Sequence, residues 1–338
     1  LAQLDGQSPK SKAYSPSRMM ITHGSQQLLY ILTEILFDPG DIVLVEDPSY
    51  FVYLGITQSH GLRARSIPME EDGIDLAHLE ATLEALKQSG ELPRLKALYL
   101  VSYHSNPTGT TTTAAKKAGA LKLLRRYESH AGHPIYLLED AAYRELRFTG
   151  EDTPSALTMD RAANRVIYTS TYSKPFATGV RIGYGILPGQ LLAAALRVKG
   201  NHDFGTTNLL QQLITRALTS GAYERHVQML RKRYAKKASA MVRAIQRHIP
   251  EGVKWTQPTG GLYVWACMPA RVKTDLNSKL FEAALRHKMI YVPGNLCYAD
   301  DPTRRKPNRE MRLSFGSASI RNIEEGIARL GRALKRVM

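Results

Sequence analysis

A chain of 338 residues with 43% hydrophobic content can bury a large core, and its length argues for two domains or one large domain with a satellite. Its two cysteines, Cys267 and Cys297, lie far apart and make neither a disulfide framework nor a metal-ligand cluster, so no metal site is expected and the compartment reads as reducing. The net charge of +16 comes from Lys and Arg dispersed along helical patterns, with denser clusters at Arg231-Lys232-Arg233 and Arg304-Arg305-Lys306; these read as solvated helix faces and a loop, not a nucleic-acid groove, and the positive field suits small anions.

In chain order, Leu1 opens the sequence without a signal-peptide pattern, so a fragment or processed form is expected. Residues 1–17 are polar, carry Ser8-Pro9 and Ser15-Pro16, and read as a mobile arm. The apolar run Met19 to Thr22 ends at His23-Gly24-Ser25, and Leu28, Leu29, Ile31, Leu32, Ile35 and Leu36 then recur at helical spacing, with Ser25 as the expected cap. Strands are expected at 41–46, 62–67, 95–101, 135–138, 165–169 and 184–187, with helices at 76–86 and 113–130. Alternation of this kind indicates an α/β fold with a mostly parallel sheet covered on both faces. A long amphipathic pattern from 223 to 249 reads as a linking helix. Short strands at 262–266, 290–292 and 311–315, with helices near 276–288 and 320–336, then form a smaller α+β domain. The expected division is an arm (1–17), a large domain (18–222), the linking helix (223–249) and a small domain (250–338). No apolar run is long enough to span a membrane, and the expected location is the cytoplasm, with the mitochondrial matrix as the alternative.

The residues that carry chemistry share one position: Gly24-Ser25, Asn106-Pro107, Asp140 and Lys174 all follow the carboxyl ends of expected strands, where open α/β sheets bind ligands. Lys174 follows the hydroxyls of Thr171 and Ser173, and Arg181 comes seven positions later. Hydroxyls and an arginine can hold a phosphate, and a lysine beside a phosphate ester can form a Schiff base with a carbonyl cofactor, provided burial or neighbouring cations keep it neutral. Gly24, Ser25 and Gln26 open a helix whose free amides make an anion site. Asp140 can pair with a protonated ring nitrogen or serve as a cap or structural ion-pair partner. Tyr143 and Asn106 can bond a phenolate oxygen, or be a core tyrosine and an ordinary turn residue. Tyr50 can stack on a planar ring or pack in the core. Arg312, on a short strand, can capture a carboxylate through its planar fork or make an interdomain salt bridge.

Seven stretches carry a resemblance: Ile21 to Gln27, Val45 to Tyr50, Asn106 to Gly109, Glu139 to Tyr143, Ser173-Lys174 through Gly183, Pro258 to Trp265, and Arg312 to Phe315. In this order, over nearly the whole chain, they resemble the class I/II, fold type I aminotransferases that use pyridoxal 5′-phosphate. The nearest likeness is to the aminoadipate/kynurenine-type subgroup and to the aminotransferase-like domains of a bacterial regulator family. The resemblance implies a three-layer sandwich and an active site at a homodimer interface. It also implies transfer of an amino group between an α-amino acid and a 2-oxo acid by a ping-pong route, with aromatic, aminoadipate or branched-chain donors. Lys174 would carry the cofactor and shuttle the proton. Asp140 would face the pyridine nitrogen, Asn106 and Tyr143 the phenolate oxygen, and Tyr50 the ring. Ser25, Gln26, Thr171, Ser173 and Arg181 would hold the phosphate, and Arg312 the substrate α-carboxylate, with Asn106 also in contact with the substrate. Two features depart from the family: the segment before Ile21 is short, and Thr178 stands where proline is usual. The competing expectations are a lyase or decarboxylase on the same fold, and a regulatory module that binds the cofactor without turnover.

Overall fold

The computed structural model describes residues 1–338. Eight strands form the main sheet: β1 (Met19–Thr22), β2 (Ile42–Asp47), β3 (Arg63–Glu70), β4 (Gly73–Ile74), β5 (Leu95–Val101), β6 (Tyr136–Asp140), β7 (Val166–Thr171) and β8 (Gly183–Ile186). Their spatial order is β1-β8-β7-β6-β5-β2-β3-β4. The β7-β6-β5-β2-β3 block is parallel, and β8 runs antiparallel to both β7 and β1. Two antiparallel steps make β1 parallel to β7, so β1 delivers its carboxyl end to the same edge of the sheet as β5, β6 and β7.

Central strands such as Leu-Lys-Ala-Leu-Tyr-Leu-Val and Tyr-Leu-Leu-Glu-Asp are almost continuously buried, as expected where helices cover both faces. Alternate side chains serve opposite layers. Ile42, Leu44, Leu98, Leu100 and Leu137 pack with helices α3 (Leu76–Gln88) and α4 (Ala114–Ala131). Val43, Val45, Tyr99, Val101 and Leu138 pack on the other side with α1 (Gly24–Leu36), α2 (Phe51–Ser59) and α5 (Gly189–Asp203). The result is the α/β three-layer arrangement. Cap chemistry sets the helix starts: Asp75 accepts from the His78 amide at 3.0 Å before α3, and Thr113 from the Lys116 amide at 3.4 Å before α4. Gly132, at φ +77°, ends α4 in the left-handed conformation that glycine adopts without strain.

Helix α6 (Asn208–Thr219) leads into α7 (Ala222–His248), whose two ends pack differently. Tyr223 and Val227 sit beside the lysine loop, against Tyr172 and Phe176. Ala238, Met241, Ala244 and Ile245 pack on a second sheet with α8 (Lys279–Arg286) and α9 (Ile320–Lys335). That sheet comprises β9 (Lys254–Trp255), β10 (Tyr263–Cys267), β11 (Val292–Pro293) and β12 (Glu310–Ser314), in the order β11-β12-β10-β9. No helix is long and apolar enough to cross a membrane.

Two local expectations are corrected. Residues 1–17 are not a mobile arm: Ala2, Asp5, Ala13 and Tyr14 are buried, and the Asp5 carboxylate pairs with Arg144 at 2.8 Å while accepting from Tyr14, the Ser155 amide and the Ser155 hydroxyl. Ser25 does not cap α1. His23 holds the N-cap position, the Gln27 side chain reaches back to the His23 amide at 2.8 Å, and Ser25 lies within the first turn.

Candidate active site

The loops at the carboxyl ends of β1, β5, β6 and β7 converge on one cleft. Gly24, Ser25, Gln26, Tyr50, Asn106, Asp140, Tyr143, Thr171, Ser173, Lys174 and Arg181 line it together with Val101 and Ala142. Arg312 reaches the rim from β12.

One corner is built for an anion. The N-terminus of α1 presents unpaired backbone N–H groups there. Gly24 has φ +73°, and a methyl group at that position would lie 2.9 Å from Arg181 Nη2, so the guanidinium rests directly on the glycine. Arg181, itself left-handed at φ 47°, donates from Nη1 to Ser173 Oγ at 3.1 Å. The Thr171 hydroxyl donates to the Ile182 carbonyl at 3.2 Å and accepts from the Ser173 amide at 3.1 Å, which fixes the turn carrying Ser173 and Lys174.

The opposite corner is anionic and buried. Burial pushes Asp140 up to about 6, against the Ala142 amide at 3.0 Å, the Tyr99 hydroxyl at 3.1 Å and the positive charge of Lys174, which all favour the carboxylate. Burial lowers the Lys174 pKa, and Arg181 and Arg312 lower it further, while Asp140 opposes them. A lysine with two cationic neighbours and partial burial is biased toward the neutral amine. Burial raises Tyr143 far above the usual phenol range; its hydroxyl accepts from Asn106 Nδ2 at 3.4 Å and lies 3.2 Å from the Tyr263 hydroxyl. Tyr50, pushed up to about 12 by burial, donates to Gln26 Oε1 at 3.4 Å.

Arg312 does not make the interdomain salt bridge that its strand position allowed. Its Nη1 donates to Asn106 Oδ1 at 2.5 Å, and its Cζ stands 4.4 Å from the Tyr263 ring centroid and 5.4 Å from that of Phe51. Its buried Nε has no partner. Aromatic walls hold the guanidinium, and donors remain free for a carboxylate. Two contacts were not foreseen: Tyr99, detectable because it shares the Val101 face of β5, and Tyr263, whose reach between the sheets has no local signal.

The family model for aminotransferase class I and II matches residues 1–330. The chain belongs to that family. Aromatic-amino-acid aminotransferase 1 of Thermococcus litoralis is 31% identical over 95% of this chain and 73% of its own. The kynurenine aminotransferase of Pyrococcus horikoshii, solved with PMP and KYN as substrates and KYA as product, has a TM-score of 0.86 and 33% identity over 94% of this chain and 75% of that one. The α-aminoadipate aminotransferase LysN of Thermus thermophilus, solved with N-(5′-phosphopyridoxyl)-L-leucine, has a TM-score of 0.85 and 32% identity over 99% of this chain and 80% of that one. This aminotransferase uses pyridoxal 5′-phosphate, adopts the α/β fold of these enzymes, and acts on amino acids and oxo acids. The cleft fits that cofactor on its own chemistry. Glycine, helix N-terminus, hydroxyl and arginine meet where a phosphate needs them, and the buried Asp140 carboxylate calls for a cationic partner such as a protonated ring nitrogen.

Proposed function

We propose that this aminotransferase moves an amino group between an α-amino acid and a 2-oxo acid in two half-reactions, with Lys174 as cofactor anchor and proton carrier. The observation that supports this best is the convergence of three separate segments, the β7–β8 loop with Lys174 and Arg181, the end of β6 with Asp140, and β12 with Arg312 at the rim, on one cleft that disfavours a charged lysine. Gly24, Ser25, Gln26, Thr171, Ser173 and Arg181 would hold the phosphate, Asp140 would face the ring nitrogen, Asn106 and Tyr143 the phenolate oxygen, and Tyr50 the ring face. When bound, the cofactor supplies an electron sink for the pair left at the substrate Cα. Arg312 would clamp the α-carboxylate, with Asn106 beside it, and so orient the Cα–H bond toward Lys174. The neutral Nζ of Lys174 takes that proton and later delivers it, while burial of Asp140 and Tyr143 keeps water from competing.

Borohydride reduction of the loaded enzyme followed by peptide mapping tests the assignment: the label belongs on Lys174, and a label elsewhere overturns it. Incubation with one donor should yield a stoichiometric oxo acid. Ammonia release would instead indicate a lyase, and the absence of either product a cofactor-binding regulatory module. The relatives named for aromatic amino acids, kynurenine and aminoadipate support a donor with a large side chain, which a donor panel read by cofactor absorbance would identify.

The same reading divides the chain into residues 1–17, a large domain (18–222), a linking helix (223–249) and a small domain (250–338), and makes the enzyme a homodimer. Phe204 is 98% exposed and Leu209 is 76% exposed, with Leu213 and Ile21 also on the surface. Side chains of this kind suit an apolar interface. A Leu209→Glu variant that sediments as the wild type does would count against this surface.

A further inference from the structure

Tyr263 stands on β10 of the four-stranded sheet, yet its ring belongs to the packed cluster on the site-facing side of the eight-stranded sheet. On the β10–β12 ladder Trp265 pairs with Arg312 and Tyr263 with Ser314, so Tyr263 and Arg312 share one face of the small sheet. A closed circuit follows. Arg312 Nη1 donates to Asn106 Oδ1 at 2.5 Å, Asn106 Nδ2 donates to the Tyr143 hydroxyl at 3.4 Å, and that hydroxyl lies 3.2 Å from the hydroxyl of Tyr263, whose ring lies 4.4 Å from Arg312 Cζ.

Donor chemistry fixes the proton positions. A guanidinium has only donors, so Asn106 must turn its oxygen to Arg312 and its NH₂ to Tyr143. The Tyr143 oxygen has two lone pairs and one proton. The Asn106 amide takes one pair. If Tyr263 donates into the other, the Tyr143 proton is left for a ligand oxygen. If Tyr143 donates to Tyr263 instead, that proton is lost to the ligand.

We propose that the Tyr263 hydroxyl is a positioning group: by donating to Tyr143 it keeps the Tyr143 proton directed at the bound cofactor, and it ties that orientation to the seat of Arg312. This rests on the reading in which Tyr143 faces the phenolate oxygen. A hydroxyl chain polarises along its length, so the Tyr143 bond to that oxygen is stronger with Tyr263 behind it.

The test is Tyr263→Phe in the cofactor-loaded enzyme, with visible absorbance followed against pH in the absence of substrate. Hydrogen bonds to the phenolate oxygen favour the form that has lost its proton, so losing the Tyr263 hydroxyl should raise the midpoint by about half to one pH unit. The ring remains beneath Arg312, so kcat should fall roughly three- to tenfold while KM for the amino acid stays within about twofold. Tyr263→Leu removes the ring as well and should raise KM. An unmoved midpoint in Tyr263→Phe, beside a shifted one in Tyr143→Phe, overturns this inference and leaves the Tyr143 role standing. Unmoved midpoints in both variants overturn the Tyr143 role and this inference with it. A KM that rises in Tyr263→Phe as much as kcat falls, with the midpoint unmoved, marks Tyr263 as packing alone and also overturns it.

Discussion

Gly183→Ala separates the anion corner from the rest of the site. Gly183 opens β8 two residues after Arg181, and a Cβ added there would lie 2.5 Å from both the Gly24 carbonyl carbon and the Ser25 nitrogen, and 2.8 Å from Gly24 Cα. All three are backbone atoms at the start of α1 and cannot swing aside as a side-chain tip would. Carbon contacts relax at about 3.5–4.0 Å, so the first turn of α1 must retreat from β8 by roughly 1 Å. Overpacking of this kind costs about 1–3 kcal/mol of stability. The retreat moves the Ser25 and Gln26 amides away from Ser173 and Arg181, and weakening one charge-assisted hydrogen bond by about 1.5–3 kcal/mol lowers cofactor affinity roughly 10- to 100-fold. Equilibrium dialysis of the apoenzyme against cofactor measures this, and inorganic phosphate should weaken as a competitor in parallel. Gly179→Ala is the matched control, because its added methyl meets nothing within 4 Å. A Gly183→Ala enzyme with Kd within about twofold of wild type, even if less stable, would refute the claim that the β8–α1 approach sets the anion site.

Asp140→Asn should lower kcat about 10- to 100-fold with a smaller change in cofactor Kd, and equal losses would remove Asp140 from the ring-nitrogen role. In the apoenzyme burial raises the same carboxyl from 3.8 to about 6, so its contribution to stability is present below pH 4 and is lost as pH rises through 6. Urea unfolding should show wild type losing up to about 3 kcal/mol relative to Asp140→Asn between pH 4 and 7, and a difference flat over that range would refute the burial argument. Arg312→Lys should cut kcat/KM by roughly 10- to 100-fold for every donor alike; loss confined to one donor class would make Arg312 a side-chain reader. Lys117→Met leaves Glu139, its fully buried partner at 2.9 Å, without a countercharge and should destabilise by about 3–5 kcal/mol. Adding Glu139→Gln should recover most of that in the same unfolding assay.

The strands and the site loops were legible because both rest on short-range signals. Strand β5 is a nearly unbroken apolar run and β6 opens as one before Glu139 and Asp140, and a doubly covered strand accommodates such a run. Asn106, Asp140 and Lys174 each follow a strand of this kind closely, so topology alone carries them to one edge. Long-range pairings were not legible. Asp5 reads as a polar residue in a polar arm, and only the fold supplies Arg144 and Ser155. Ser25 satisfies every local rule for a cap, yet the chain turns at His23 because Gly24 takes the positive φ. Helix α2 was missed because it is apolar on most sides, with Tyr53, Leu54, Ile56 and Thr57 buried, so no stripe marks it. The two readings of Arg312 were chemically equal in the sequence. The difference lies in Tyr263, Phe51 and Asn106, which hold the guanidinium where no protein carboxylate pairs with it and leave its Nε without a partner.

The electrostatics of the cleft also bear on timing in the proposed mechanism. Lys174 is drawn toward neutrality by Arg181 and Arg312 and toward charge by Asp140. In that mechanism the two arginines are not equivalent, because Arg181 would be neutralised whenever the cofactor phosphate is present, whereas Arg312 would be neutralised by the substrate carboxylate. Between turnovers Arg312 therefore keeps its repulsive field on Nζ and favours the unprotonated amine that must engage the cofactor. Once a substrate carboxylate seats on Arg312 that repulsion falls, and the affinity of Nζ for a proton rises at the stage when it has to take one from Cα. Opposite charge near a base raises its pKa, and removal of like charge does the same. One arginine on the second sheet can thus serve both to place the substrate and to set the basicity of Lys174, with no additional titrating group.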